Sequence, residues 1–268
     1  MQKQERIYME FQASINGIRG TVQYRDEDVQ KIFIPLLEKW KAMQERKGRR
    51  VLVFLAAPPG TGKSTLLAFL RELSRGEILT GVPSTERLTP ITTIGIDGFH
   101  HYQTYLDTHT TVRDGQEILM AKVKGAPETF DRALLEERIR KVAAGGDCSW
   151  PDYDRTIENP REDVFRIDAS SKIVVLEGNY LLLDQPGWRD LRNYADFTMK
   201  LVADEKVLRE RLLERRIRTG TPRPEAERFV DYSDMANARL VLRHSLDADL
   251  VLESGRDGFR VVEGGFSG

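Results

Sequence analysis

The stretch that decides the fold is residues 51–65, which read VLVFLAAPPGTGKST. It starts with an apolar run at residues 51–55, typical of a strand buried on both faces of a parallel sheet. A glycine-rich turn follows, and a helical pattern occupies residues 64–73. This order matches the P-loop pattern, except that Ala57 replaces its first glycine. The replacement requires only that position 57 does not need a positive φ, which alanine would resist.

The residue types in this turn suit phosphate groups. Gly60 and Gly62 allow the backbone to turn its N–H groups inward around phosphate oxygens. The helix adds the positive end of its dipole, Lys63 brings a charge to the β- and γ-phosphates, and the Ser64 hydroxyl can ligate Mg²⁺. The sequence therefore predicts ATP and Mg²⁺ as cofactors. The predicted ATP-binding residues are Pro59, Gly60, Thr61, Gly62, Lys63, Ser64 and Thr65.

Buried strands and helices alternate along the rest of the chain. Further strands are expected at residues 92–96, 172–176, 197–202 and 249–252, with helices near 127–143, 185–194, 204–218 and 224–243. This alternation predicts an α/β fold of the P-loop NTPase type, with three layers, a mostly parallel sheet and helices on both faces.

A small hairpin and a helix are predicted before this region. The hairpin covers about residues 7–24 around an Asn16-Gly17 turn. Asp26 is expected to cap a helix that ends near residue 47 and that kinks or breaks at Pro35. We therefore divide the chain into an N-terminal extension, residues 1–49, and a P-loop kinase domain, residues 50–268.

Two carboxylates follow predicted strands. Asp97 and Glu177 both end buried strands, and each precedes a glycine that is expected to leave room for a substrate or metal. Ligands of open parallel sheets bind beyond the carboxyl ends of the strands. One carboxylate is expected to hold Mg²⁺ and the other to accept a proton from an attacking hydroxyl. Helix or turn capping is the alternative for both residues.

Several of these motifs together resemble a known family. The P-loop, followed by DGFH at 97–100, PDYDR at 151–155 and EGNY at 177–180, resembles the phosphoribulokinase, uridine kinase and pantothenate kinase group. The segment KGAPETFD at 124–131 is most similar to a bacterial branch of nucleoside or fructose-transport-type kinases. The resemblance covers about residues 50–252.

The resemblance implies roles for individual residues. It makes Asp97 the base for a substrate hydroxyl and places Glu177 near Mg²⁺ and the substrate. It places Pro151, Tyr153 and Asp154 at the border of the acceptor pocket. It also implies an arginine-bearing lid over the phosphates, at residues 211–218.

The proposed lid also has support from helical spacing. Arg211, Arg215 and Arg218 recur at i, i+4 and i+7 and therefore share one helix face. A helix-breaking Thr-Gly-Thr-Pro segment at 219–222 follows them. Arg215 and Arg218 are predicted to stabilise charge on the transferring phosphoryl group, with a solvated helix face as the alternative.

The predicted acceptor-binding residues are His101, Lys124, Tyr153 and Arg155. His101 can hydrogen-bond substrate hydroxyls, Lys124 and Arg155 can bind an anionic acceptor, and Tyr153 can stack on a base or sugar. Turn, surface and packing roles remain open for each of them.

Bulk composition limits the function classes. The formal net charge is −1, which gives no global attraction for nucleic acid or an anionic membrane. The sequence has neither a signal-peptide pattern nor an apolar run long enough to span a bilayer, so a cytoplasmic location is expected. A homodimer is compatible with the sequence, which does not define the oligomeric state.

These observations favour an ATP-dependent kinase that phosphorylates a hydroxyl of a sugar, nucleoside or related metabolite. The catalytic residues would be Asp97, Lys63, Arg215 and Arg218, with Ser64 and Glu177 as metal ligands. The alternative is a non-kinase P-loop NTPase acting as a nucleotide-gated regulatory module. An acceptor cavity beside Asp97 distinguishes the two, because a kinase needs one and a hydrolase does not.

Overall fold

The chain begins with an antiparallel hairpin, as its alternating pattern predicts. Strand β1 (Tyr8–Ile15) pairs with β2 (Ile18–Arg25). The computed structural model describes residues 8–15, 18–77, 88–113 and 115–266. The predicted Asn16-Gly17 turn lies outside these residues.

The N-terminal helix differs from its prediction at its start and has an irregular segment just before Pro35. It consists of α1 (Asp26–Asp28), a π-helical segment (Val29–Phe33) and α2 (Ile34–Lys47), and it ends at a left-handed Gly48. Pro35 does not break the helix: the π segment precedes it and the backbone at Phe33 and Ile34 stays right-handed helical. The wider turn of the π segment is compatible with the absence of a backbone N–H donor at Pro35. Asp26 is not the cap, because Arg25 occupies that position and Asp26 lies in the first turn.

The remaining elements include the predicted strands and helices together with further strands. In chain order they are β3 (Val51–Ala56), α3 (Lys63–Ser74), β4 (Ile91–Gly95), α4 (Gln103–Leu106), β5 (Thr110–Arg113), β6 (Gln116–Leu119), α5 (Arg132–Ala143), β7 (Cys148–Asp154), β8 (Asn159–Ile167), β9 (Ile173–Gly178), β10 (Phe197–Val202), α6 (Glu205–Arg218), α7 (Arg223–Phe229), α8 (Met235–Arg243), β11 (Leu250–Ser254) and β12 (Phe259–Gly264).

Six of these strands form the central sheet, in the order β12-β11-β10-β3-β9-β4. Every neighbouring pair is parallel except β11 and β12, which are antiparallel. The predicted mostly parallel α/β sheet is therefore confirmed. Its antiparallel edge strand β12 was not predicted.

Alternate residues of β3 face opposite sides of the sheet, as the period of a strand requires. Val51, Val53 and Leu55 pack in one core with α2 and α3, whereas Leu52 and Phe54 pack in a second core with α5. Both faces are thus covered by helices, which explains why β3 has an unbroken apolar sequence.

Some predicted helices are shorter than their sequence patterns. The pattern at 185–194 yields a 3₁₀ helix at Arg189–Tyr194. The pattern at 127–143 becomes a 3₁₀ turn at Pro127–Thr129 followed by α5, whose N-cap Asp131 accepts a hydrogen bond from Leu134 N at 3.0 Å. The hairpins β5–β6 and β7–β8 were not predicted at all.

The N-terminal helix packs on the central sheet. Leu36 and Trp40 of α2 are fully buried in the core that also contains Val51 and Val53 of β3. The division of the chain after residue 49 remains a prediction. Across the described residues, no helix combines the length and apolarity that crossing a membrane requires.

Candidate active site

The P-loop joins the end of β3 to the start of α3. Gly60 and Gly62 have φ values of +87° and +88°, which L side chains rarely adopt, so both positions require glycine. Ala57 is absent from the non-glycine residues with positive φ, so the predicted tolerance of alanine there is confirmed. Gly62 is the N-cap of α3, and its missing side chain leaves the helix N-terminus open to a ligand.

Helix α6 packs against the P-loop. A Cβ at Gly60 would lie 3.0 Å from Leu212 Cγ and 3.2 Å from Leu208 O, so α6 packs directly against the turn. Arg211 Nη1 donates a hydrogen bond to Thr61 O at 3.2 Å. The Thr61 hydroxyl donates to Pro58 O at 3.0 Å. These contacts hold the loop in a preformed shape.

Glu177 meets the P-loop at the end of β9. The Ser64 hydroxyl donates a hydrogen bond to Glu177 Oε1 at 2.8 Å, and Lys63 Nζ lies 4.0 Å from Glu177 Oε2. Burial raises the pKa of Glu177, and the positive charge of Lys63 opposes that rise. Among the residues that the structure describes, Oε2 is buried without a hydrogen-bond partner.

This arrangement fits a magnesium ion. Mg²⁺ prefers oxygen ligands and is usually bound by one or two protein groups together with substrate phosphates. The Ser64 hydroxyl and the orphaned Glu177 oxygen supply such donors next to the phosphate loop. The described residues contain no group of three or more His, Cys, Asp or Glu side chains that would hold a metal without phosphates.

Asp97 lies in a short 3₁₀ turn, Asp97–Phe99, directly after β4. Its Oδ2 accepts a hydrogen bond from Arg155 Nη2 at 3.2 Å, and both side chains are nearly half exposed to the cleft. Burial tends to raise the pKa of Asp97, but electrostatic interactions with His100, Arg155 and Lys63 outweigh it and lower the pKa. The carboxylate is therefore ionised near neutral pH and can accept a proton.

A cleft of about 480 Å³ lies beside these groups. Of the predicted site residues it contains Lys63, Ser64, Asp97, Tyr153, Asp154, Arg155 and Glu177. Residues that were not predicted also line it, namely Leu67, Ala68, Arg71, Thr93, Asp152, Thr156, Arg161, Val164 and Phe165. Residues 67, 68 and 71 follow Lys63 and Ser64 at helical spacing, so they share a helix face with them. Their position in the cleft could have been predicted from this spacing.

Two predicted acceptor residues lie elsewhere. The His101 ring stacks on Tyr105 with centroids 4.2 Å apart, and His101 does not line the cleft. Lys124 donates hydrogen bonds to Gln103 Oε1 at 2.6 Å and to Glu158 O at 2.8 Å, which ties α4 to the β7–β8 turn. Lys124 reaches the site indirectly, since its Nζ lies 5.3 Å from the centre of the Tyr153 ring.

The glycines after Asp97 and Glu177 do not leave room for a ligand as expected. A Cβ at Gly98 would lie 2.5 Å from the Pro151 carbonyl, so the space belongs to the backbone of β7. A Cβ at Gly178 would lie 2.5 Å from Ile96 Cδ1. Both glycines allow close packing of protein: Gly98 lets β7 approach the segment after β4, and Gly178 lets β9 approach Ile96 in that same segment.

The three arginines of the predicted lid face differ in their surroundings. Arg211 bridges Thr61 O, Ser254 Oγ and Gly255 O. Arg215 is exposed in the last turn of α6 and does not line the cleft, but its positive charge contributes to the lowered pKa of Asp97. Arg218 is exposed near the end of α6. Arg216, which the pattern did not single out, pairs with Asp234 at 2.8 Å.

Fold and site together define a P-loop kinase, with a phosphate-binding turn, two strand-end carboxylates and an adjoining cleft. The chain belongs to the phosphoribulokinase/uridine kinase family, whose model matches residues 52–224.

Individual relatives agree with this assignment. The chain is 39% identical to "Uncharacterized protein YggC" of Escherichia coli (strain K12) over 251 residues, which are 93% of this chain and 98% of the relative. It is 32% identical to "Putative uridine kinase C227.14" of Schizosaccharomyces pombe, over 76% of this chain and 83% of the relative. Its fold is similar to the crystal structure of a "putative fructose transport system kinase" from Silicibacter sp. TM1040, with a TM-score of 0.68, 29% identity and coverage of 81% and 98%.

Proposed function

We propose that this protein transfers the γ-phosphoryl group of ATP to a hydroxyl of a small molecule, a sugar, a nucleoside or a related metabolite. The observation that carries the proposal is the cleft of about 480 Å³, which has Lys63 and Glu177 at its phosphate end and Asp97 within it. A nucleotide-gated regulatory module would not need such a cavity. The acceptor is proposed to be a small molecule and not a nucleic acid or membrane lipid.

The residues of the cleft, together with Arg215 of α6, which does not line it, divide the reaction among them. Asp97 accepts the proton of the acceptor hydroxyl, and the oxygen of that hydroxyl forms a bond to the γ-phosphorus. The bond from this phosphorus to the β–γ bridging oxygen breaks, and ADP leaves. Lys63 binds the phosphate oxygens, and Arg215 adds positive charge near the transferring group. Ser64 and Glu177 would hold Mg²⁺, which supplies charge neutralisation on the β- and γ-phosphates when bound. Arg155 orients Asp97 through their 3.2 Å contact.

The test is an acceptor screen that follows ADP release from ATP in the presence and absence of pooled sugars, nucleosides and vitamins. We expect an acceptor-dependent rate that falls about a hundred- to ten-thousand-fold in Asp97→Asn, because asparagine cannot take the proton. The Mg²⁺·ATP affinity of the variant should change far less.

Two outcomes would contradict the proposal. ATP turnover that no acceptor accelerates would favour the regulatory NTPase. A collapse of Mg²⁺·ATP affinity in Asp97→Asn would make Asp97 the metal residue and remove it as the base.

A further inference from the structure

The P-loop separates two cavities. Lys63 and Ser64 line the acceptor cleft, whereas Thr61, Gly62 and Thr65 line a second cavity of about 310 Å³. The second volume lies within the usual range for small-molecule sites, about 300–1,000 Å³.

The N-terminal hairpin forms one wall of this second cavity. Tyr8, Gln23, Tyr24 and Arg25 come from β1 and β2. The turn between β11 and β12 also lines it, at residues 254–259, as does Arg211 of α6. The cavity therefore combines segments more than 200 residues apart in the sequence.

Two polar side chains, Arg211 and Asp28, connect the segments that line this cavity. Arg211 connects the P-loop to the β11–β12 turn through Thr61 O and Gly255 O. Asp28 is 2% exposed and accepts hydrogen bonds from Arg25 Nε and Phe259 N, both at 3.1 Å, which connects the hairpin to the same turn. A Cβ at Gly258 would collide with Asp28 and Arg25, so the turn fits the hairpin only with glycine there.

The direction of the nucleotide follows from the position of the loop. The transferred phosphorus must face the acceptor cleft beside Asp97, and the nucleoside is at the other end of the triphosphate. A triphosphate held by the P-loop therefore directs its nucleoside into the second cavity, where the exposed ring of Tyr8 suits the face of a base.

We propose that the N-terminal hairpin is part of the nucleotide site: with the β11–β12 turn it encloses the nucleoside, and Tyr8 and Gln23 contact it. This inference rests on the proposed function, since it requires a nucleoside triphosphate on the P-loop. It assigns to residues 8–25 a role in nucleotide affinity that the phosphate loop alone does not supply.

The test compares ATP with inorganic tripolyphosphate, which has the phosphates without the nucleoside. In the full chain, Tyr8→Ala combined with Gln23→Ala should weaken ATP binding about fivefold or more, because base stacking is lost. Tripolyphosphate affinity should stay within about twofold of the parent.

A matched control is Gln12→Ala. Gln12 and Gln23 are both exposed on this hairpin, and each donates one cross-strand hydrogen bond of 2.8 Å, to Thr21 and Glu10 respectively. Gln12 does not line the cavity, so its replacement should change neither affinity.

Unchanged ATP affinity in the double variant, or an equal loss for both ligands at an unchanged thermal midpoint, would overturn the inference. If the double variant has a lowered thermal midpoint, the same comparison of ATP and tripolyphosphate affinity is made with Gln23→Ala alone, and its result decides. Lys63→Ala separates the two proposals. If ATP binding depends on Lys63 but not on the hairpin, only this inference fails. If ATP binding does not depend on Lys63, the proposed function fails as well.

Discussion

At the scale of single residues, the carboxylate of Glu177 has only one of its two oxygens in a hydrogen bond to another described residue. Its Oε1 accepts the Ser64 hydroxyl, whereas Oε2 is buried without a hydrogen-bond partner in the described structure. An unpaired buried carboxylate oxygen costs free energy unless something binds it. A cation near the phosphates would remove that cost.

Glu177→Gln should therefore raise the Mg²⁺ concentration for half-maximal turnover about tenfold or more, because a metal loses a charged oxygen ligand. Nucleotide binding without Mg²⁺ should weaken less. The measurement is a Mg²⁺ titration of turnover beside a binding isotherm in chelator.

Glu253→Gln is a matched control for this experiment. Glu253 lies near the carboxyl end of another parallel strand, β11, but it pairs with Arg260 and lines neither cavity. Its Mg²⁺ titration should match that of the parent. An unchanged titration in Glu177→Gln itself would make Glu177 a structural residue.

At the scale of elements, α6 serves two purposes. Its N-terminal half packs on the P-loop through Leu208, Arg211 and Leu212. Its last turn contains Arg215 and Arg218, and the segment after it begins with a left-handed Gly220. The helix therefore holds the phosphate loop at one end and presents basic residues at the other.

Replacing Arg215 and Arg218 together with alanine should lower turnover at saturating ATP by about a hundredfold, with a weak effect on ATP affinity. The reason is that these arginines are expected to stabilise the negative charge that develops on the phosphoryl group during its transfer, so their loss lowers the rate more than the affinity. Single-turnover rates and ATP binding should be measured together.

Arg209→Ala serves as the control on the same helix. Arg209 pairs with Asp231 at 2.7 Å on the surface, and its charge is not among those that lower the pKa of Asp97, whereas the charge of Arg215 is. Equal rates in the double variant, Arg209→Ala and the parent would support a solvated helix face.

At the scale of the whole molecule, Asp196 joins the N-terminal helix to the sheet. Its side chain is 6% exposed and contacts Lys47 Nζ and Arg49 Nη2, both at 2.6 Å, and it accepts Leu52 N at 3.0 Å. Burial tends to raise the pKa of Asp196, but the hydrogen bonds from Arg49, Lys47 and Leu52 outweigh it and lower the pKa. One carboxylate thus links the end of α2 with the starts of β3 and β10.

Asp196→Asn should lower the free energy of unfolding by about 1–3 kcal/mol at neutral pH, because the buried acceptor of three hydrogen bonds loses its charge. Since the folded pKa is depressed, the stabilisation is present above the unfolded value of about 3.9 and is lost as the pH falls through the folded pKa. The difference from the parent should therefore disappear in acid. Urea unfolding at neutral and acidic pH measures it.

Asp184→Asn is the control for this prediction. Asp184 also pairs with an arginine, Arg189, at 3.1 Å, but its side chain is 49% exposed. A change within about 0.5 kcal/mol is expected there. Equal effects of both substitutions would contradict the assigned role of Asp196.

The sequence alone determined the features that depend on neighbouring residues. The P-loop lies within nine consecutive positions, so its glycines, lysine and hydroxyl indicate both its geometry and its ligand. Strand β3 and the first four residues of β9 are unbroken apolar runs because both faces of the sheet are covered. Asp97 and Glu177 were found by a general rule, since parallel strands direct their carboxyl ends to one edge.

Only the tertiary structure decided which distant segments meet. Strand β8 is mostly exposed and lacks alternating apolar residues, so its part in the acceptor cleft left no periodic signal. The Asp97–Arg155 pair and the filled space at Gly98 depend on how β7 and the turn after it pack against the end of β4, and the filled space at Gly178 depends on Ile96. The second cavity joins residues 8–28 to residues 254–259. Such contacts arise from sheet order, register and packing of the whole chain, and no local pattern of residues contains them.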